Sequence, residues 1–544
     1  MRFLKKMLIP VVVLIIGFWL WGLKVPTEEY DLVIYGGGFA GCAAAYNAAQ
    51  VVPYGNILLV VPDPVSKLGG LGTIGGQNFA DIRYWQNELV TQGSFQRWFE
   101  ECGQFYNPLL WADILKAELS QFTNLTILYQ HDLQKVSTEQ LENSQQITSL
   151  LLRPIARTSK GEVHWKWGKL RVLGKVFIDA SDEGRLTRLA GEPFVVGRQD
   201  WPWEYLPEDE KEMARQQAAT LMFQVKGVRV PSVAQQIEDL HFVCDQKGSW
   251  GIVGGREIWQ KNPIIRGFNE LYGPEGWAIK PLNAAQCGAN SDTWWVNMLL
   301  IFDVDGTDYA KDRSFFASRK KTVDDFWIKA HRVLAEEHFL KALREFKVIV
   351  DGKMYGLGEV NIVKDEAGQP LVGEVIYLRE TVHLKGKGAL TTEAVQQAGS
   401  SFREGKDRDY YSQRIGLGYY LMDINAYQYC DLKQGEQFVW PVTEYLRPDW
   451  QLSGGQPVNP VYLPFQMLVP VKNVNLLVPG YAVGCSSMAW SSIRVLPNLA
   501  VLGDAAGVAA ARALLFNEDF TSFDTEQITW VQKKLKELGA RLDK

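Results

Sequence analysis

Paired cysteines are missing from this chain. Its six cysteines, Cys42, Cys102, Cys244, Cys287, Cys430 and Cys485, form no C-x-x-C pair. That argues against a redox-active disulfide, a zinc knuckle or an iron–sulfur cluster. Positive charge is not in excess either. The net charge of −5 offers no basic field for nucleic acid. No internal repeat and no low-complexity tract interrupts the 544 residues, which suffice for two or more domains. Apolar residues make up 47% and charged residues 22%, ordinary values for a globular protein. Tryptophan is abundant, with 19 copies, most of them expected in cores or domain seams.

A cleavage signal is also lacking at the N-terminus. Arg2, Lys5 and Lys6 precede an uncharged, mostly apolar run from Met7 to Leu23, and no alanine occurs before Ala40. The run is 17 residues long, at the short end of what spans a bilayer. With no A-x-A-like site, an uncleaved signal anchor is expected rather than a removed signal peptide. Positive charge before the run, and Glu28, Glu29 and Asp31 after it, would place the N-terminus in the cytoplasm and the body on the outer side. No twin-arginine pair is present.

What is present begins directly after this segment. Asp31-Leu32-Val33-Ile34-Tyr35 reads as a short buried strand, Cys42 to Gln50 as an Ala-rich helix, and Ile57 to Val61 as a second parallel strand. Between the first two lies Gly36-Gly37-Gly38-Phe39-Ala40-Gly41, which satisfies G-x-G-x-x-G inside a βαβ unit. Gly36 permits the tight turn, Gly38 lets a pyrophosphate approach the backbone, and Gly41 lets helix and strand pack closely. The helix N-terminus adds free N–H groups and a positive dipole end. The second strand should lead to an acid for the ribose hydroxyls. Asp63, 22 residues after Gly41 and beyond Pro62, is the candidate.

Further along, Leu125 to Tyr129 and Val176 to Ala180 read as strands of the same sheet. The pattern changes between about Asp200 and Tyr462, where helices from Arg313 to Phe346 mix with strands and many aromatics. Asn475 to Val478 returns as a strand, Asp504 to Leu515 as an Ala-rich helix, and Gln527 to Leu542 as a charged amphipathic helix. The expected fold class is α/β: a Rossmann-type nucleotide-binding domain with an inserted α+β substrate domain, preceded by one transmembrane helix. The expected division is 1–29 for the n-region and anchor, 30–200 plus 463–515 for the nucleotide-binding domain, 201–462 for the cap, and 516–544 for the C-terminal helix.

Five segments resemble the bacterial FAD-dependent oxidoreductase family, within the glutathione-reductase-like flavoprotein superfamily. They are DLVIYGGGFAGCAAA (Asp31 to Ala45), LGGLGTIGG (Leu68 to Gly76), FIDASDEGRLTRLAG (Phe177 to Gly191) with Gly197-Arg198, YLRETVHLKG (Tyr377 to Gly386), and the stretch from Asn475 to Ala511. The resemblance implies FAD as cofactor. It implies Gly69 and Gly70 beside the pyrophosphate, and Ala180-Ser181 with Glu183-Gly184 near the adenine side. It further implies Gly503-Asp504 on the ribityl chain and a helix opening at Ala505-Ala506-Gly507 toward the flavin. Such a helix end would stabilise negative charge on the reduced ring.

The resemblance also brings three motifs near the flavin: Arg379, Glu380 and His383; Asp423 and Asn425; and Arg494. Asn425 stands where the family segment commonly ends in histidine. Arg379 or Arg494 could clamp an anionic substrate group, and Glu380, Asp423 or His383 could accept a proton as hydride leaves. The expected reaction is hydride transfer between a small organic substrate and flavin N5, with quinone, oxygen or a membrane partner taking the electrons. The rivals are an NAD(P)H-fed reductase, for which no second G-x-G-x-x-G is seen, and a membrane-tethered binding protein without turnover. Asp303-Val304-Asp305-Gly306-Thr307 resembles a phosphatase motif but reads as a turn. His331 and His338 lack a third ligand, so no metal is expected.

Overall fold

The computed structural model describes residues 25–210, 214–313, 321–386, 388–451 and 454–544. The N-terminal run from Met7 to Leu23 lies outside the described residues.

The chain builds a mixed α/β fold around two large sheets. The first is eight-stranded. Its opening unit is β1 (Thr27–Tyr35), α1 (Phe39–Val51) and β2 (Ile57–Val61). Then come α2 (Ser94–Cys102), β3 (Leu125–Tyr129), β4 (His131–Gln140), β5 (Gln145–Arg157) and β6 (Leu170–Asp179). The spatial order is β3-β2-β1-β6-β5-β4. Strands β3, β2, β1 and β6 run parallel, and β5 and β4 join as an antiparallel extension. Leu32 to Tyr35 and all of β2 are buried, as strands of a parallel sheet covered on both faces must be. β1 starts earlier than its apolar run suggests. Thr27 to Tyr30 pair with Arg171 to Gly174 of β6, so a neighbouring strand recruits a polar segment that hydrophobicity alone does not mark. The short strand Leu476–Leu477 returns from far along the chain to pair with Phe177 and Ile178.

The second sheet has seven strands, drawn from residues 223–362 and paired antiparallel. It encloses a separate core that includes Trp259, Phe268, Trp277, Trp294 and Phe339. Helices Val323–Ala335 and Glu337–Leu343 flank it. The Asp303–Thr307 segment is a turn, with Asp303 at φ 58° and the Asp305 carboxylate accepting from Thr307.

Two late helices bring the chain back to the first sheet: α3 (Ser487–Ile493) and α4 (Leu496–Phe516). The sequence reading that opens the last Ala-rich helix at Asp504 to Ala505 is corrected here. The helix opens two turns earlier, at Leu496, with Pro497 in its first turn, where proline's missing N–H costs nothing. Ala505, Ala506 and Gly507 therefore sit in mid-helix, fully buried, and present no free N–H groups. Their environment explains the composition. A Cβ on Gly503 would stand 2.1 Å from the Ala40 carbonyl oxygen, and one on Gly507 2.3 Å from that of Ala44. The small residues let α4 press backbone to backbone against α1. Among the described residues α4 is the one helix long and apolar enough to cross a membrane, but it is 83% buried inside the protein. Apolar all round, it is a core helix. The closing helix runs over Thr525–Glu537 and ends short of the expected Leu542.

Candidate active site

The Gly-rich turn forms the floor of a cavity of about 100 Å³. Gly36 has φ 115°, and a Cβ there would meet the Ala180 carbonyl at 2.5 Å. A Cβ on Gly38 would meet nothing within 4 Å, so the space before this residue is open and any larger side chain would fill it. Gly41 is wedged against the Gly36 carbonyl, 1.8 Å from where a Cβ would lie. Gly38 also caps α1 without any side-chain hydrogen bond. The first N–H groups of that helix are thus left for a ligand anion. Gly69 donates its N–H to the Gly37 carbonyl at 2.8 Å. Gly70 (φ 51°) lines the cavity, close to the Gly38 Cα.

Across the floor, Asp179 at the end of β6 accepts from the backbone and hydroxyl of both Ser181 and Thr187. These bonds hold the Ala180–Gly184 turn in place. Ser181 and Glu183 face the cavity. Gly184 (φ 58°) packs against Ala482 and opens the short helix that follows.

Asp63 lines the same cavity. Burial, reinforced by Asp182 and Glu183, pushes its carboxyl up to about 8. Burial likewise raises Glu183 to about 7 and Asp182 to about 6. An acid that keeps its proton near pH 7, as Asp63 does, can bond sugar hydroxyls without repelling a pyrophosphate. Asp132, which the sequence reading missed, behaves differently. Burial alone would raise it, but Lys311 at 2.9 Å and Arg185 at 3.3 Å hold it below the usual carboxylate range. Lys311 comes from the inserted region, with Tyr309 and Trp327, and together they close the cavity from the other side.

Asp504 neither caps its helix nor faces the cavity. It is buried between helices, accepting from Asn47 at 2.6 Å and from the Ser94 N–H at 3.1 Å at the start of α2. Asp504 thereby ties α4 to α1 and to the start of α2.

The Leu68–Gln77 loop connects this cradle to a second constellation. Gly70 touches Gly38; a Cβ on Gly72 would meet Phe39 and Leu496 at the head of α4; one on Gly76 would meet Trp295. Gln77 then accepts from Asn297 at 3.1 Å, and Asn297 in turn accepts from Arg379 at 3.4 Å. Arg379 also donates to the Ala218 carbonyl at 2.6 Å and to Thr220 at 2.7 Å. It stacks over Tyr377, 4.7 Å from the ring centroid. Arg494 lies 5.6 Å from the same ring, donates to the Tyr377 hydroxyl, and pairs with Asp423 at 2.9 Å. The structure therefore brings Arg379, Asp423 and Arg494 together. It adds Lys280, which sequence reasoning missed although a lone lysine in the apolar run Trp277 to Ala285 is itself a signal. Burial, with Arg379 alongside, lowers the Lys280 ammonium to about 7. Burial also raises Asp81 in the same neighbourhood to about 6.

Glu380 and His383 point into a different network. Glu380 accepts from Tyr427 at 3.2 Å and from the Ser487 hydroxyl. His383 lies 3.7 Å from Glu380 and 3.6 Å from the Cys485 sulfur, against the Trp490 ring. Burial alone would lower this imidazole, but its interactions with Cys485 and Glu380 lift it to about 10. Asn425 is buried, its backbone tied to Gln217 at 3.0 Å.

The backbone cradle, the uncapped helix end and the protonated Asp63 fit a dinucleotide. A family model described as FAD dependent oxidoreductase matches residues 31–535. No curated protein sequence matches. Among solved structures, a geranylgeranyl bacteriochlorophyll reductase-like protein from Thermoplasma acidophilum is 10% identical, over 95% of this chain and 85% of that one, with a TM-score of 0.35. The E. coli quinol fumarate reductase FrdA, as a point variant, is 12% identical over 94% and 75%, with a TM-score of 0.30. With a family model spanning almost all of its length, the chain belongs to the FAD dependent oxidoreductase family: it is an FAD-dependent oxidoreductase, and FAD is its cofactor.

Proposed function

We propose that the enzyme exchanges a hydride with a small organic substrate at the constellation around Arg379, Asp423 and Arg494. The observation that carries this reading is the continuous line of contacts from Gly38 through Gly70, Gly72 and Gln77 to Asn297 and Arg379. It sets the nucleotide cradle and the charged cluster at two ends of one loop. Bound FAD supplies the hydride-accepting or hydride-donating N5 atom and the route onward to quinone, oxygen or a membrane partner. The chain's own groups bind, orient and handle the proton. Gly36, Gly38, Gly41, Gly69 and Gly70 admit the pyrophosphate, while Asp63, Ser181, Glu183 and Gly184 take the adenosine side. Arg379 and Arg494 orient the substrate. Asp423, with a side chain 38% exposed, is the acid best placed to take a proton and pass it to water. Glu380, His383 and Asn425 position the segments that carry these groups.

The experiment is a flavin-reduction screen. The purified full-length chain should carry FAD near one per chain, and a metabolite panel should bleach it. Asp423→Asn should keep FAD and melting temperature and slow bleaching by roughly two orders of magnitude or more. Bleaching of Asp423→Asn at the wild-type rate would remove Asp423 from the proposal. We also propose that Met7 to Leu23 tethers the enzyme with its body outside the cytoplasm. The full-length chain should then stay in membranes after a high-salt wash, and recovery of a soluble form lacking this run would overturn the tether.

A further inference from the structure

Among the described residues, the cations of the second constellation outnumber the anions paired with them. Arg494 is paired with Asp423. Among the described residues Arg379 has only neutral hydrogen-bond partners: a carbonyl, a hydroxyl and a side-chain amide. The Lys280 ammonium makes no hydrogen bond or ion pair among the described residues, although the residue is only 8% exposed. The Nε atoms of Arg379 and Arg494 are buried without partners as well. Lys280 is held in place by its backbone. It follows the strand Trp277–Ile279 and donates its N–H to the Met298 carbonyl at 3.0 Å. That places it next to Asn297, which bridges Gln77 and Arg379.

An unpaired buried charge is costly and is normally matched by a partner. Here a monoanion would match it. The acids nearby, Asp423 and Asp81, disfavour a doubly charged phosphate. An apolar cluster of Leu71, Met222, Trp295 and Tyr377 adjoins the cations, and would face a hydrocarbon body rather than a second charge. We propose that Lys280, Arg379 and Arg494 form a subsite for the carboxylate of an amphipathic organic acid, the substrate class of the hydride-transfer site on whose reading this rests, with Lys280 as the direct ion-pair partner. The charges that act on Lys280 include Arg379, Asp423, Arg494 and Asp81. Its depressed ionisation agrees with a site that gains its full charge when an anion arrives.

The test is calorimetric titration of the holoenzyme with short aliphatic and aromatic monocarboxylates, each beside its neutral amide. Wild-type protein should bind at least one carboxylate and its amide far more weakly. Affinity should fall as pH rises from about 6 to about 9, because Lys280 loses its proton. Lys280→Met should weaken carboxylate binding about 30-fold or more, flatten its pH dependence, and leave FAD content and melting temperature at or above wild type. Amides that bind as tightly as acids would overturn the proposal, as would a pH-independent wild-type affinity. So would a Lys280→Met variant that shifts the flavin midpoint potential yet binds carboxylates as before, since the cations would then serve the reduced ring. FAD content, read separately from bound-flavin absorbance, reports on the flavoenzyme reading itself. Calorimetry does not depend on it.

Discussion

The two ends of the Leu68–Gln77 loop gather opposite kinds of ionisable group. At the nucleotide end, Asp63, Asp182 and Glu183 crowd a cavity whose floor is bare backbone, and burial drives them toward the neutral form. At the other end Lys280, Arg379 and Arg494 are buried with one clear carboxylate partner among them. The acids can relieve their crowding internally, by taking up protons, Asp63 most readily. The two arginines cannot, because a guanidinium does not shed its proton near neutral pH. An excess of buried acids thus makes a site for neutral hydroxyls, and an excess of buried arginine makes a site for an anion.

The comparison breaks most completely at the floor. Gly38→Trp should abolish FAD binding, since the open space before Gly38 is where the ligand must lie, yet leave the fold intact. Flavin absorbance per chain and the melting temperature check both halves. Full FAD content in this variant would move the nucleotide site elsewhere.

A smaller effect is expected at the cationic end. Arg494→Gln leaves the buried Tyr377 hydroxyl without its donor and Asp423 without its pair. It should cost about 1–3 kcal/mol in denaturant unfolding, the lower part of the range applying because Asp423 reaches solvent. An unchanged midpoint would show that water replaces the guanidinium freely.

At the acidic end, Asp63→Asn should weaken FAD about tenfold in a fluorescence titration, the worth of one hydrogen bond. Its stability signature has a definite sign. The Asp63 carboxyl is raised from 3.8 to about 8, so its contribution is fully present below pH 3.8 and lost as pH rises through 8. Without FAD, the wild type should therefore lose stability across that window and Asp63→Asn should lose less. Equal slopes for the two proteins would show that Asp63 titrates normally.

The smallest change, opposite in direction, belongs to Lys280. Its ammonium is lowered from 10.5 to about 7, so the burial penalty is complete below pH 7 and is relieved as pH climbs toward 10.5. Wild-type stability should rise across that window, and Lys280→Met should remove the rise while matching or exceeding wild type at pH 7. Thermal scans at three pH values decide this.

Local order in the chain made the first end legible. A strand of buried apolar residues, glycines at fixed offsets, an Ala-rich helix and a second strand each follow from short-range steric and hydrophobic rules, so β1, α1, β2 and the Gly36–Gly41 turn could be placed from residues alone. Spacing pointed to Asp63, which lines the cavity. The start of α4 was not legible. Asp504 resembles an N-cap, and the signal that decided the boundary, Pro497 in the first turn, lies seven residues upstream in an apolar run. The role of Asp504 is decided by Asn47 and Ser94, residues more than four hundred positions away. Arg379 and Glu380 are adjacent in sequence, yet one joins Tyr377 and Asn297 while the other joins Ser487 and Tyr427. Lys280 gave a sequence signal only as a charge in an apolar run.

The sequence by itself determined the mixed α/β class, the nucleotide turn and the family to which the chain belongs, because these rest on contacts between near neighbours and on motifs of fixed spacing. Only the tertiary structure decided which charges are buried without partners, which helix end is free and which residues meet across the two sheets. Burial and charge compensation depend on distant segments converging, and no local pattern of residue types encodes that convergence.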